Sequence, residues 1–272
     1  MPPTIYPRMK TIKLDDRQQL DTVPGRCLSA ADRFHFRCHP GVACFNRCCR
    51  NLNLFLQPYD VVQLKNCLQM SSDAFIEAHV DVVLREGQFF PEVLLRMAEN
   101  AERTCPFLTE AGCGVYAKRP DTCRTFPVEH GLWYDDRRRQ PQPVYYFRPP
   151  VFCLGQHEKQ VLTIESWIDD QQAAGYHGMT RRWGDVRQLF ATNPWGHEGP
   201  DGPRAKMAFM AAYNIDRFRT FVFESSFLRR YKVKSALLKK IRAQDEALLL
   251  FGFEWIRVFV GGLASKQIRL KR

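Results

Sequence analysis

The segment FRCHPGVACFNRCCR, at residues 36–50, decides how the N-terminal half of the chain is built. It contains four cysteines, and its apolar residues lack the periodic spacing of a helix or a strand. Such a segment buries little apolar surface by itself, so something other than a hydrophobic core must hold its backbone. Metal ligation by thiolates performs this task in many small domains. The segment therefore predicts a metal site that uses Cys38, Cys44, Cys48 and Cys49.

A second cysteine-rich stretch, CPFLTEAGCGVYAKRPDTCRTFP, spans residues 105–127, and Cys153 follows it. Zinc ions and iron–sulfur clusters need several soft thiolates that converge from separate backbone segments. Seven of the ten cysteines fall in these two windows, which chance placement does not favour. Cys27 and Cys67 lie outside the pattern and are predicted to be small apolar residues. The predicted metal ligands are Cys38, Cys44, Cys48, Cys49, Cys105, Cys113, Cys123 and Cys153.

The adjacent pair Cys48 and Cys49 constrains the site. Side chains of neighbouring residues tend to diverge, so the pair is not expected to serve one tetrahedral ion together. The two thiols would contact different metals, bridge two metals, or divide into one ligand and one thiol with another role. Eight thiolates suffice for two sites of four ligands each, or for one cluster and a reactive pair.

The second stretch and the preceding Cys-Cys pair resemble the YkgJ-type cysteine-cluster family, also described as the CxxCxxCC or zinc- or iron-chelating domain. In that family a cluster ending in CC precedes a CPFL…GC.IY..RP..CR.FP block and a later cysteine, here Cys153. The first cluster reads C-x5-C-x3-CC in this chain, where the family has C-x2-C-x2-CC. The resemblance covers about residues 36–155 and implies metal chelation. The C-terminal stretch is also similar to the tail of longer bacterial members.

An iron–sulfur cluster, of the 4Fe–4S type, is the preferred cofactor. Ligation by four thiolates with varied spacing suits it, whereas all-cysteine zinc sites more often use C-x2-C pairs. The preferred function is therefore an iron–sulfur protein with a redox or a protein- or small-molecule-modifying role, which leaves an iron–sulfur-dependent enzyme open. Zinc is the alternative, in a zinc-stabilised binding module without catalysis.

A third hypothesis comes from the family. One of its branches resembles flagellin lysine N-methylases, and the resemblance implies an iron–sulfur cluster in the related cysteine domain. The sequence contains no glycine-rich strand-to-helix signature that would independently predict S-adenosylmethionine binding. Catalytic residues stay unassigned, because no Ser–His–Asp order, HExxH, P-loop or paired-carboxylate signature is present.

Two arginines, Arg119 and Arg124, flank Cys123. They are predicted to offset thiolate charge or to bind an anion beside the cofactor, as groups around metal ligands tune such sites. The alternative is a turn that Pro120 holds, with both arginines paired to carboxylates.

Three histidines, His39, His130 and His157, lie near cysteines in sequence. Each of them could replace a cysteine at zinc, although a single histidine beside a ligand loop is more often a surface residue.

The remaining sequence predicts a mainly α fold with an irregular, cysteine-rich metal-binding region, a short β-hairpin and a C-terminal helical subdomain. Residues 1–155 form the metal-binding region, whose first 33 residues are an irregular arm, and residues 156–272 form a helical region packed on it. The hairpin pairs Leu132–Tyr134 with Val144–Phe147.

Apolar spacing, caps and prolines predict the helices and one short strand at residues 51–56. The predicted helices run from Pro58 to Leu68, from Ser71 or Ser72 to Val83, from Thr163 to about Gly175, from Arg181 to Phe190, from Ile215 through Leu228, around Leu237 to Ile241, and from Asp245 to Val260.

The formal net charge of +11 permits contact with nucleic acid, anionic lipid or an acidic protein. No recognised nucleic-acid motif accompanies the charge, so the expected partner is a protein or a small-molecule substrate. The most apolar stretch, residues 247–264, is interrupted by Glu254 and Arg257, and no membrane span is expected. The N-terminus lacks an apolar signal core, so the cysteines are expected to meet the reducing cytoplasm.

Overall fold

The computed structural model describes residues 10–12, 25–133 and 142–271. These residues form two compact units, each made of separate chain segments. The helical unit contains residues 10–12, 55–95 and 182–271, and the cysteine unit contains residues 25–54, 96–133 and 142–181. The sequence placed one domain boundary after residue 155, and that boundary stays a prediction.

The regular elements of the described residues are short. The α-helices are α1 Pro58–Cys67, α2 Ser72–His79, α3 Asp121–Thr125, α4 Ile164–Asp170, α5 Ala174–Arg187, α6 Pro203–Tyr213, α7 Ile215–Glu224, α8 Phe227–Arg230, α9 Ser235–Ala243 and α10 Asp245–Phe259. The strands are β1 Lys10–Ile12, β2 Arg26–Leu28, β3 Phe34–His35, β4 Phe55–Leu56, β5 Val80–Arg85, β6 Glu92–Leu95, β7 Leu108–Thr109, β8 Gly112–Cys113, β9 Val128–Trp133, β10 Gln142–Phe147, β11 Val161–Leu162, β12 Tyr231–Lys232 and β13 Arg269–Leu270.

Helix α10 is the centre of the helical unit. It packs against α1, α6, α7 and α9, and its side chains are buried along most of its length. A helix that is apolar almost all round must be covered on several sides, as the sequence predicted. Gly252 allows the closest approach, because a Cβ atom there would lie 2.2 Å from the carbonyl oxygen of Ala211 on α6.

A four-stranded sheet with the order β1-β5-β6-β4 completes the helical unit. Strand β5 pairs antiparallel with β6 and parallel with β1. The helix that was predicted from Ser71 or Ser72 to Val83 is therefore wrong beyond His79. The run VDVV from Val80 is rich in β-branched residues, and its pairing with β6 outweighs continuation of the helix.

The cysteine unit is built on a three-stranded antiparallel sheet with the order β2-β10-β9. Strands β9 and β10 form a hairpin, as predicted, but Val144–Phe147 pair with Val128–Gly131 and not with Leu132–Tyr134. Tyr134 lies outside the described residues. Behind the sheet, Trp167 on α4 meets the rings of Phe34 and Phe36 edge-on, and its indole N–H donates to the carbonyl oxygen of Thr125 at 3.0 Å. The predicted irregular arm contains strands β1 and β2 where it is described.

The predicted fold class is confirmed in part. Helices dominate the C-terminal region, whereas the cysteine unit consists of short strands, turns and short helices. The sequence predicted two helices within residues 163–190, with a break between about Gly175 and Arg181. In the structure the break comes earlier in the chain, because α4 ends at Asp170 and Gln172 has a left-handed backbone with φ 51°. Within the described residues, no helix has the length and apolar character that crossing a membrane would require.

Candidate metal centre

Consecutive tight turns shape the first cysteine loop. Backbone hydrogen bonds join Val42 N–H to His39, Phe45 N–H to Val42 and Arg47 N–H to Cys44, each between 2.8 and 3.0 Å. Asn46 then adopts a left-handed conformation with φ 61° and starts a 3₁₀ turn at Arg47–Cys49. Asparagine tolerates this conformation better than most residues. The turns fold the backbone back on itself in place of a helix or a strand.

A backbone hydrogen bond connects the two cysteine stretches directly. The Cys105 N–H donates to the carbonyl oxygen of Cys49 at 2.8 Å. A bridge between Arg50 and Thr104 extends this pairing by one residue. The chain then turns through the β7–β8 hairpin, in which Cys113 lies opposite Leu108. The pairing therefore brings Cys49 and Cys105 together from opposite ends of a segment of 55 residues.

The segment that carries Cys153 closes the arrangement. The Leu154 N–H donates to the Cys44 sulfur at 3.1 Å, and the Arg37 N–H donates to the carbonyl oxygen of Gly155 at 3.0 Å. Cys153 is the one buried cysteine among the described residues. It is part of the cluster of buried residues around Phe34, Phe36 and Trp167, so the core of the cysteine unit holds this ligand candidate in place.

The eight predicted ligands influence one another electrostatically. Partial desolvation raises the pKa of Cys38, although this residue is exposed, and burial raises that of Cys153. The charge of Cys44 raises both pKa values further. Burial likewise raises the pKa of Cys105 to about 11, with contributions from Cys49 and Cys113. Closely spaced thiolates repel one another, so a cation among them would be stabilising.

The adjacent pair Cys48 and Cys49 lies within hydrogen-bond reach of each other. The hydrogen bond from Cys48 lowers the pKa of Cys49 to about 7, against the effect of burial. The same hydrogen bond and burial raise the pKa of Cys48, and the charges of Cys38 and Cys123 add to this. The pair thus consists of a thiol that donates and a sulfur that accepts.

Cys27 and Cys67 do not share this environment. Cys67 ends helix α1 in the helical unit, and Cys27 lies on strand β2, paired with Tyr146. Both are exposed, so the prediction that they are small packing residues is not supported by burial.

The two predicted arginines are buried and held by the backbone. Arg124 donates to the carbonyl oxygens of Gln171 and Ala117 at 2.7 and 2.8 Å. Arg119 donates to the carbonyl oxygen of Tyr116 and to the Gln171 side chain, both at 2.6 Å. These partners are carbonyl groups rather than the carboxylates that the alternative interpretation expected.

The charges of two cysteines also act on Arg119. Burial lowers the pKa of Arg119, while the charges of Cys113 and Cys123 act in the opposite direction. A guanidinium beside two thiolates would offset part of their negative charge, and this role of Arg119 stays a prediction.

The three histidine candidates have different surroundings. His157 is exposed, and His39 accepts a hydrogen bond from the Gly41 N–H at 3.2 Å. His130 lies against Asp121 and His177, with its Nδ1 atom 3.6 Å from the Asp121 carboxylate. Sequence spacing did not single out Asp121 or His177, because the three residues come from α3, β9 and α5 and meet only in the folded chain.

Comparison with known proteins identifies the cysteine region. Residues 37–153 match the family CxxCxxCC, described as "Putative zinc- or iron-chelating domain". The chain has no significant match among curated proteins or among solved structures. The matched residues begin beside Cys38 and end at Cys153, so they enclose all eight predicted ligands. Residues 37–153 of the chain therefore match the CxxCxxCC family of zinc- or iron-chelating domains.

Proposed function

We propose that the protein binds an iron–sulfur cluster through thiolates of the cysteine unit and uses it in a redox or modifying reaction. The observation that carries the proposal is the convergence of eight thiols from separate backbone segments into one electrostatically connected group. The proposed ligands are drawn from Cys38, Cys44, Cys48, Cys49, Cys105, Cys113, Cys123 and Cys153.

The spacing of the cysteines along the chain supports a cluster over a single zinc ion. All-cysteine zinc sites more often take their ligands from C-x2-C pairs, whereas thiolates with varied spacing suit an iron–sulfur cluster. The sequence contains no C-x2-C pair. Zinc is the second candidate, because the family description names it.

The residues around the sulfurs would hold such a cluster and adjust its properties. When bound, an iron–sulfur cluster supplies a site that accepts and releases single electrons. The Leu154 N–H donates to the Cys44 sulfur, and Cys48 donates to Cys49. Both hydrogen bonds reduce negative charge on the accepting sulfur, and Arg119 acts in the same sense from the side of Cys113 and Cys123.

The methylase-like hypothesis receives no support from the sheets. Those of the described residues have two to four strands and are mostly antiparallel. A doubly wound nucleotide-binding fold would need an open, mostly parallel sheet with helices on both faces. Methyl transfer therefore stays a runner-up that only the family resemblance favours.

The cellular setting and the partner are part of the proposal. None of the ten cysteines, all of which lie in the described part of the chain, forms a disulfide bond, which suits a reducing compartment such as the cytoplasm. The net charge of +11 favours a partner that is acidic or anionic. The proposed partner is a protein or a small-molecule substrate, which a redox or modifying reaction also needs.

Anaerobic purification tests the proposal. We expect a brown protein whose iron and acid-labile sulfide occur in similar amounts, with visible absorption and an electron paramagnetic resonance (EPR) signal after reduction. A colourless protein with stoichiometric zinc and no sulfide would contradict the cluster and support the zinc-stabilised module. A protein that folds normally without any metal after chelation would contradict both.

Single substitutions locate the ligands. Cys113→Ser and Cys153→Ser should each lower the iron and sulfide content, because each removes one converging thiol. Cys27→Ser and Cys67→Ser are matched controls, since both cysteines are exposed and outside the group. Equal iron loss in the controls would show that the cysteines are not distinguished as we propose.

A further inference from the structure

Three buried side chains meet on the sheet side of helix α3. Asp121 begins α3, His130 lies on β9 and His177 lies on α5. Their side chains are 8%, 4% and 6% exposed. The Asp121 carboxylate lies 3.6 Å from His130 Nδ1 and 3.4 Å from His177 Nε2, and the two imidazole rings are 3.9 Å apart. Three elements thus present one oxygen and two nitrogen atoms to a common point.

These distances suit ligands of one metal ion. With metal–ligand bonds of about 2.1 Å, neighbouring ligand atoms lie about 3.0 Å apart in an octahedral site and about 3.4 Å apart in a tetrahedral site. The three ligand atoms all lie within 4.8 Å of one another. They are therefore close to the separation that a shared cation requires.

The two ring nitrogens that face the carboxylate have no hydrogen-bond partner. Both His130 Nδ1 and His177 Nε2 are buried atoms that make no hydrogen bond, although the Asp121 carboxylate lies 3.6 and 3.4 Å from them. Leaving a buried polar atom unsatisfied is destabilising. A cation between the rings and the carboxylate would satisfy both nitrogens at once.

Neighbouring hydroxyl groups orient two of the three side chains. The Tyr145 hydroxyl lies 3.3 Å from His177 Nδ1, and the Thr180 hydroxyl donates to the Asp121 carboxylate at 3.2 Å. An imidazole that uses Nδ1 toward Tyr145 turns Nε2 toward Asp121. Ligating histidines in metal sites are commonly held through their second nitrogen in this way.

The chemistry of the three side chains also suits metal binding. An ionised carboxylate and two neutral imidazoles supply one negative charge and two nitrogen ligands, a set of donor atoms that first-row transition metals accept.

We propose that Asp121, His130 and His177 bind a divalent first-row transition metal ion, as a second metal site distinct from the thiolates. Two histidines and one carboxylate with further coordination positions open form the ligand set of non-haem Fe²⁺ sites, and Zn²⁺ and Mn²⁺ accept the same atoms. Asp121 and Cys123 are two residues apart on α3, so their side chains do not share a face of the helix. The short helix would thus contribute to both metal sites, one on each side.

Mn²⁺ is the probe of choice, because it prefers nitrogen and oxygen ligands to thiolates. It is titrated into the full-length protein, whose iron and sulfide content has been measured, with excess Mg²⁺ present to occupy exposed carboxylates. The EPR signal of free Mn²⁺ reports the bound fraction. We expect about one Mn²⁺ per chain, displaced by Fe²⁺ or Zn²⁺ in the order of their affinity for this site.

Substitutions in the group should weaken this binding. His130→Gln and His177→Gln should each bind Mn²⁺ at least about tenfold more weakly, and Tyr145→Phe about tenfold more weakly while it preserves packing. His197→Gln is the matched control, because His197 is exposed and lies in the helical unit. Addition of Mn²⁺ should raise the thermal unfolding midpoint of the native chain and not that of the histidine variants.

Two results would overturn the second site. One is native protein that binds no Mn²⁺ under these conditions. The other is unchanged Mn²⁺ affinity in both histidine variants. That result would identify the group as a buried polar cluster that stabilises the fold without metal. Mn²⁺ binding by a chain that lacks iron and sulfide would support this site and contradict the proposed cluster, so the two proposals fail separately.

Discussion

Gly155 has no side chain at a point where two segments of the cysteine unit approach each other closely. A Cβ atom there would lie 2.6 Å from the carbonyl oxygen of Arg37 and 2.9 Å from the ring of Phe36. Both atoms belong to residues that directly follow β3 and lead into the first cysteine loop. The hydrogen bond from the Leu154 N–H to the Cys44 sulfur depends on the same close approach.

Gly155→Ala should therefore destabilise the protein by about 1–3 kcal/mol and lower its metal content, because the clash is with backbone and a packed ring. Chemical denaturation and metal analysis measure the two effects. Gly178→Ala is the matched control, since a Cβ atom at this position in α5 meets nothing within 4 Å. It should be neutral or stabilising by up to about 1 kcal/mol. Equal effects of the two substitutions would argue against the close approach.

The adjacent cysteines should respond differently to serine. Hydrogen bonding between the two thiols lowers the pKa of Cys49 and raises that of Cys48, so Cys49 forms the thiolate more readily. We expect Cys49→Ser to lose most of the bound metal and Cys48→Ser to retain more of it. Metal content and the visible spectrum of both variants check this. Identical losses would contradict a division of roles within the pair.

At the scale of elements, a buried lysine joins three helices of the helical unit. Lys65 on α1 is 7% exposed, and its ammonium group lies 2.8 Å from the carboxylate of Asp245 on α10 and 3.3 Å from that of Asp216 on α7. Arg219 also pairs with Asp245. A charge at this depth is tolerated because it is paired on two sides.

Lys65→Met should destabilise the protein by about 2–4 kcal/mol, because it leaves two partly buried carboxylates with less compensation. Lys239→Met is the matched control on exposed surface and should change stability by less than about 0.5 kcal/mol. Denaturant unfolding of both variants at neutral pH measures the difference. A negligible effect of Lys65→Met would mean that the ion pairs contribute little.

The contribution of this network should depend on pH. Burial opposes ionisation of Asp245, but hydrogen bonds from Lys65 and Asn66 and the charge of Arg219 hold its pKa below the ordinary value of 3.8. A carboxyl group with a lowered folded-state pKa stabilises the protein above its unfolded-state pKa, and this stabilisation is lost as the pH falls. The coupling energy of a Lys65→Met and Asp245→Asn double-mutant cycle should therefore be constant near neutral pH and decrease below about pH 4. Coupling that does not change with pH would exclude this role.

Local patterns predicted some elements well. Helix α1 begins at Pro58 as predicted, and the side chain of Asp60 accepts the Gln57 N–H at 2.8 Å in a capping box. The same patterns gave a wrong prediction at β5, because β-branched residues follow a sequence that begins a helix and were predicted to continue it. Whether such a run continues the helix depends on a strand partner, here β6, which lies elsewhere in the sequence.

At the scale of the whole molecule, the two units use different means of stabilisation. The helical unit buries many large side chains, such as Phe209, Phe218 and Trp255. The cysteine loops bury few, and backbone hydrogen bonds and the proposed metal hold them. Loops of this kind are expected to lose their structure when the metal is removed.

Metal removal should therefore affect the two units unequally. After chelation, trypsin should cleave rapidly within residues 36–50 and 105–127, whereas a fragment containing residues 203–259 should persist. Digestion of metal-loaded and chelated protein, followed by mass spectrometry, identifies the sites. Identical digestion patterns before and after chelation would contradict a structural role of the metal.

The sequence by itself determined the chemistry of the cysteine region. Cysteine is recognisable in any sequence. The grouping of the cysteines, with the CPFL and RP-x-x-CR motifs around them, predicted the family that residues 37–153 match and the eight candidate ligands. Helices such as α1 and α10 were likewise predictable, because caps and apolar spacing are local features.

Only the tertiary structure decided which residues meet. It paired Cys49 with Cys105 across 55 residues, turned Val80–Arg85 into a strand and brought Asp121, His130 and His177 together from three elements. Contacts between distant segments depend on the packing of the whole chain, and no local spacing encodes them.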